Sequence, residues 1–376
     1  MSLARDIVDR IFFPNRDVHS IPVLDGGFSP NQRLDRARQL GDGFDSPDAL
    51  TLDSRGALYV SAGQTIYACT GRDFETRRPF VRFEGKVGGL TWSEKTGLVV
   101  CVSERGICTV DGTGKIAGWL EKVDGEAIHC PTAAAVASDG TIFVTDGSRY
   151  NAPDHWLPDL MQKRSPSGRL ITCDAALTNA RTVADGLDWP GGVAVTHDEE
   201  SVFVTESWSH RLREFERSGG KSRVLVKNFT GYPSRIARGT GRHYWLAFFA
   251  LRTQLTEFVL REHAFRARMM ENVPPHLWVG PTLGGAFDYR EPTQIGRIKK
   301  LGIQKPWAPP RSYGLVARLD AGGHAVESFH SRASGQLHGV TAVADDRGRV
   351  LVVSKGHGKI AELPVSDERS TGDRNE

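Results

Sequence analysis

One pattern recurs six times along the chain and leaves few folds open to it: an apolar strand, a polar turn, a second strand rich in β-branched and aromatic residues, then a third. The copies read DALTLDSRGALYVSAGQTIYAC from Asp48, GGLTWSEKTGLVVCVSERGICTV from Gly88 and TAAAVASDGTIFVTDGS from Thr132. They continue with GGVAVTHDEESVFVTESWSHRLREFE from Gly191, SRIARGTGRHYWLAFF from Ser234 and HGVTAVADDRGRVLVVSKGHGKIAEL from His338. Their turns fall at Gly56, Gly97, Gly140, Glu200, Gly241 and Gly348, in steps of 41, 43, 60, 41 and 107 residues. The longest step contains a stretch of different character, 251–312, and without those 62 residues it shortens to 45. A period of roughly 40 to 50 residues with about four strands per repeat marks a β-propeller. The fold expected is therefore all-β, a six-bladed propeller with a helical insertion in blade five.

Runs such as LVVCV and VLVVS read as strands covered on both faces, as they are between neighbouring blades. A helical solenoid is excluded, because the repeats alternate at period two and are punctuated by Gly, Asp and Ser. Residues 48–376 are read as one propeller and 1–47 as an extension whose segment near Arg33 to Leu40 supplies a ring-closing strand, since closure removes exposed sheet edges. In the insertion, Leu255, Phe258, Val259, Phe265 and Met269 fall near one face at helical spacing, which predicts a single helix over 254–273 ending at Pro274 and Pro275. The insertion is read as a packed surface excursion, a lid over the channel mouth or a homodimer contact.

Composition narrows the partners. The 48 basic and 45 acidic residues give a formal net charge of +3, and there is no block of five or more like charges, which speaks against nucleic acid. No run reaches the ~18 apolar residues of a membrane span, and the first residues lack the apolar stretch of a signal peptide. Five cysteines, an odd number without CxxC spacing, suit reduced thiols, so a cytoplasmic location is expected.

Four segments together resemble the strictosidine synthase-like family, in the wider group of gluconolactonase, senescence marker protein and paraoxonase propellers. They are SPDALTLDSRGALYVS, VADGLDWPGGVAVTHDEESVFVTESWSHRLREFE, NFTGYPSRIARGTGRHYWLAFF and SYGLVARLDAGGHAVESFHSRASGQLHGVTAV. The resemblance implies a small-molecule site at the mouth of the central channel. In the metal-binding members a divalent cation sits there on oxygen ligands, a set that suits calcium. Matched motif by motif, those ligands fall on Asp48, Thr132, Gly191 and the Ser234-Arg235 pair. Asp48 alone keeps a carboxylate, so calcium is disfavoured and no cofactor is expected. Arg235 puts a permanent cation where the metal would be, with Asp48 or Glu206 as its expected partner and a substrate carboxylate or carbonyl as its expected ligand. The glutamate that the alkaloid-forming members use for proton transfer falls on Thr341, which cannot serve as a carboxylate base.

His129 and His338 lie next to inner-strand starts, and with Asp48 either forms a candidate pair for activating water. Trp189 and Tyr232 precede channel positions and are candidate walls of an apolar pocket, with Thr132, Ser234, Thr341 and Glu206 as further substrate contacts. Asp146 and Glu206 end the second strands of successive blades at matching places, which also fits a structural role. Cys130, beside His129, points to the opposite face of a strand from it and is better read as a buried thiol than as a nucleophile. No GxSxG elbow is present. The function expected is a metal-independent hydrolase of a lactone or ester, acting on a small and carboxylate-bearing molecule. The alternatives are a condensation or lyase enzyme of the strictosidine synthase type, and a propeller that binds a small ligand or a protein without catalysis.

Overall fold

The computed structural model describes residues 20–284, 299–300, 303–304, 312–332 and 335–365. Six antiparallel four-stranded sheets stand around a channel. Their innermost strands are Pro47–Leu52, Val87–Ser93, Pro131–Val136, Pro190–Val195, Gly231–Arg238 and Val340–Asp346. Each packs against the innermost strand of the next blade, and the sixth returns to the first. The second strands carry the core: Leu98 to Val102 and Val350 to Ser354 are buried throughout, because each lies inside its sheet and has a blade on either side.

Blade 6 is composite. Its three consecutive strands take Arg38–Leu40 as the outermost fourth, with Leu40 opposite Ile360 and Arg38 opposite Glu362. Leu40 and Leu34 are buried beside this closure, and Arg38 binds Glu362 at 2.7 Å and Asp73 at 2.5 Å.

Every innermost strand slips register near its beginning. The extra residue is Asp48 in blade 1, Thr132 in blade 3, Gly191 in blade 4 and Thr341 in blade 6. In blades 2 and 5 the slip falls at Gly88-Gly89 and at Ser234-Arg235. A bulge re-aims a side chain out of the pleat. Six bulges at one level therefore turn six short segments towards one mouth of the channel.

Two excursions lie at that mouth. The 60-residue step holds residues 147–167, an unforeseen excursion between the second and third strands of blade 3 that includes helix α1 (Trp156–Gln162). The insertion of blade 5 holds α2 (Gln254–Arg261) and α3 (His263–Asn272), two helices where the periodicity predicts one. Thr253 caps α2, its Oγ1 accepting the Thr256 N–H at 3.1 Å. Glu262, at φ −82 and ψ 79, leaves helical geometry and breaks the run. The break shifts the phase of α3 relative to α2. Val259 and Met269 are buried as the spacing predicts and Leu255 is half-buried, but Phe258 and Phe265 are 51% and 44% exposed. In α3 the inward position falls instead to Arg266, whose guanidinium donates to the Leu260 carbonyl at the end of α2. Val259, Leu260 and Met269 pack in one cluster with Leu160 and Met161 of α1 and with Tyr232, Phe249 and Trp278. Each such buried side chain is worth roughly 1.5–3 kcal/mol. Among the described residues no helix is long and apolar enough to cross a membrane.

Candidate active site at the channel mouth

Arg235 reaches from blade 5 across the channel. Its Nη2 donates to Asp48 Oδ2 at 2.5 Å, Nη1 to the Asp48 carbonyl at 2.9 Å and to the Thr341 carbonyl at 3.4 Å, and Nε to the Thr132 carbonyl at 3.1 Å. One guanidinium thus ties blades 1, 3 and 6 to blade 5. A second cation approaches the same carboxylate, with Lys355 Nζ 2.7 Å from Asp48 Oδ1. Burial works to raise the Asp48 pKa, but the charges of Arg235 and Lys355 outweigh it and hold the carboxyl far below its usual range. Asp48 is a fixed anion.

Hydroxyls carry the ring from blade to blade. Thr132 Oγ1 donates to the Pro190 carbonyl at 2.6 Å, Ser207 Oγ to Pro233 at 2.7 Å, Ser234 Oγ to Thr341 at 2.8 Å and Thr341 Oγ1 to Asp48 at 2.7 Å. Above them lies a cavity of about 80 Å³ with Arg235, Asp48 and Lys355 at its base. Trp189, Phe249, Pro153, Trp156 and Leu283 supply its apolar walls, the last three from the two excursions. The sequence left open which mouth the insertion serves; it serves this one. Trp189 holds a left-handed backbone at φ 54, uncommon for so bulky a residue, and stacks at a tilt on Trp208 at 5.0 Å.

The other expected residues lie elsewhere. Glu206 does not meet Arg235: it binds Arg211 Nη2 at 3.0 Å and accepts the Asp188 N–H at 3.0 Å. Asp146 repeats this in blade 3, with Arg169 at 2.7 Å and the Cys130 N–H at 2.7 Å. These carboxylates brace the entry of an inner strand. Tyr232 is fully buried in the cluster beneath the insertion and does not line the cavity. His129 and His338 both sit three residues ahead of a bulged residue, and neither lines the cavity. His338 has both ring nitrogens engaged: Nε2–H donates to the Arg332 carbonyl at 2.8 Å, so Nδ1 accepts from Ser312 Oγ at 2.8 Å. Burial pushes the Cys130 thiol well up, away from nucleophilic thiolate.

Lys355 is the residue that sequence reasoning missed, and it had a signal. It directly follows the second strand of its blade, where blades 1 to 4 carry Gly63, Ser103, Gly147 and Ser207. A long cation at a position kept small in four of the other five blades is a departure from the repeat.

A divalent cation does not fit these residues. The carbonyl oxygens of Asp48, Thr132 and Thr341 that converge on the channel already accept from the guanidinium. Among the described residues no three His, Cys, Asp or Glu side chains form a metal-binding group. Calcium takes six to eight oxygens and would stand against two fixed positive charges.

Residues 133–218 match the sequence profile described as strictosidine synthase. Protein STRICTOSIDINE SYNTHASE-LIKE 6 of Arabidopsis thaliana is 27% identical over 165 residues, 43% of this chain and 44% of that protein. The chain is a six-bladed propeller whose sequence is similar to strictosidine synthase over residues 133–218. Protein STRICTOSIDINE SYNTHASE-LIKE 13 of the same plant is 25% identical over 74% of this chain and 61% of its own, so the propeller matches roughly half the length of these relatives. The adipocyte plasma membrane-associated protein of Danio rerio is 24% identical over 82% of this chain and 73% of that protein. Among solved structures, a gluconolactonase from Xanthomonas campestris superposes with TM-score 0.58 at 15% identity, over 92% of this chain and 99% of its own. A calcium-binding regucalcin from Agrobacterium tumefaciens gives 0.56 at 12%, over 88% and 93%. At such identities these two speak for the fold alone.

A buried histidine makes the propeller acid-sensitive. His330 is held between Tyr313 and Ser328 at 3.0 and 2.8 Å, and burial pushes its pKa down to about 4. The unfolded chain therefore binds more protons than the folded one between that value and roughly 6.5, so stability is full above 6.5 and falls as the pH drops towards 4. From pH 7 to 5 this one group should withdraw on the order of 2 kcal/mol. Urea unfolding at both pH values should show the loss in the native protein and less of it in His330→Gln; an equal loss in both would refute the assignment.

Proposed function

We propose that this chain is a small-molecule hydrolase of the lactone or ester class, working at the channel mouth without a tightly held metal. The observation that carries the reading is the Arg235 guanidinium, bonded to the converging carbonyls and to Asp48 where a central cation would otherwise stand. Lys355 faces the cavity, and its ammonium suits the carbonyl oxygen of a bound ester. As water adds to the carbonyl carbon, charge grows on that oxygen and Lys355 shifts its hydrogen bond from Asp48 to it. Asp48, losing one of its two cations, becomes basic enough to take the proton of the attacking water. It returns that proton to the alkoxide when the carbon–oxygen bond breaks.

The test is a screen of lactones, aryl esters and amine plus aldehyde pairs, with and without chelator. Turnover that survives the chelator and falls by about 10²-fold or more in Lys355→Met is the expected result. Turnover abolished by chelator and restored by calcium would return the chain to metal-dependent hydrolysis. Turnover of amine and aldehyde pairs alone would favour condensation, and none of any substrate would leave a ligand-binding propeller.

A further inference from the structure

The two cations at the cavity base are not equivalent. Arg235 is committed: its Nε, Nη1 and Nη2 all donate to blades 1, 3 and 6. Lys355 has Asp48 as its one hydrogen-bond acceptor among the described residues and carries three N–H groups, so two are left for the cavity that it lines. The hydroxyls of Thr132, Ser207, Ser234 and Thr341 already donate to carbonyls and have no proton to give a ligand. Arg235, Lys355 and Asp48 sum to one net positive charge beneath the apolar walls of Trp156, Trp189, Phe249 and Leu283. A cation in such surroundings is poorly served by solvent and gains from an anion.

We propose that this site selects a monocarboxylate, received by Lys355. The inference rests on the hydrolase reading for its place in a reaction and on the charge arrangement alone for the binding. One carboxylate brings the net charge to zero, and a second would reverse it. The cavity of about 80 Å³ is small and open to solvent, so it takes in the carboxylate end of a ligand whose remainder can extend outward. Hydrolysis of a lactone or ester produces such a group. The neutral substrate presents only a carbonyl oxygen to Lys355 and the product a full charge, so the acid product binds more tightly than the substrate and inhibits.

Calorimetry on the full chain with acetate, propionate and lactate, against acetamide, propionamide and lactamide, tests this. Each carboxylate should bind at least tenfold more tightly than its amide, and Lys355→Met should erase the difference while thermal unfolding shows it folded. Asp48→Asn, by removing the competing anion, should tighten carboxylate binding. Amides binding as well as the acids, or a preference that survives in folded Lys355→Met, would overturn the proposal. If Lys355→Met does not fold, Asp48→Asn decides by the opposite sign, and an unchanged or weakened carboxylate affinity there overturns it as well. Should no lactone or ester be turned over while the carboxylate preference holds, the hydrolase reading falls and the anion site stands.

Discussion

Replacing Arg235 with methionine is expected to destabilise the propeller by about 3–5 kcal/mol, the usual cost of removing one member of a buried ion pair. Methionine fills similar volume, so the loss is electrostatic and not a cavity effect. It leaves the carbonyls of Asp48 and Thr132 without their guanidinium donor, and it leaves Asp48 with Lys355 alone. The acid limb of stability should move with it. In the native protein the depressed pKa of Asp48 gives stability that is complete above about pH 4 and lost as the pH falls below it. With one counter-charge removed the folded pKa rises towards the unfolded value and that contribution shrinks. Urea titrations at pH 7 and pH 3.5 measure both effects; a loss below about 1 kcal/mol at pH 7 would mean that the guanidinium does not hold the ring.

The second large effect is a gain. Ser234→Asp, Arg235→Asn and Lys355→Met together remove both cations, add a carboxylate and an amide oxygen, and free three carbonyl oxygens, all around Asp48. Calcium should then bind with a dissociation constant on the order of 10⁻⁴–10⁻³ M, measurable by calorimetry, where the unaltered chain gives no heat. Gly191 is best left as it is, because a Cβ there would stand 2.8 Å from Ser207 Oγ. A folded triple variant that ignores calcium, or an unaltered chain that binds it equally well, would show that charge is not what keeps the metal out.

The blades were legible because each repeat writes its own turn. Gly56, Gly97 and Gly140 all take positive φ in tight turns that recur at a fixed distance, and a repeat needs no partner elsewhere in the sequence to be seen. Asp48 and Arg235 were legible for a related reason: both stand at the same point of their repeats, where the bulge turns them inward. Lys355 comes from the far end of a second strand, and that this end meets the bulges is a property of the closed ring rather than of any one repeat. The histidines misled through the same geometry. Their nearness to inner-strand starts was real, but at three residues ahead of the bulge neither lines the cavity, and His338 is spent on Ser312 and Arg332. The exposed Phe265 traces to Glu262, whose departure from helical geometry no periodicity over 254–273 could register, while Phe258 lies off the face of α2 that Thr256, Val259 and Leu260 bury.

The composite blade also sets a timetable for synthesis. Arg38–Leu40 leaves the ribosome early, and its partner Lys359–Glu362 more than three hundred residues later. Until that partner is made the three-residue strand has nothing to pair with, and once Ser331 has been added five finished blades stand as an open arc whose two faces await the sixth. Hydrophobic contact between successive blades can form as each is made, but the last clasp cannot. The nascent protein therefore spends its most vulnerable interval late, with an unpaired strand edge at one end of the arc, and its release from that state is governed by the arrival of residues 340–362.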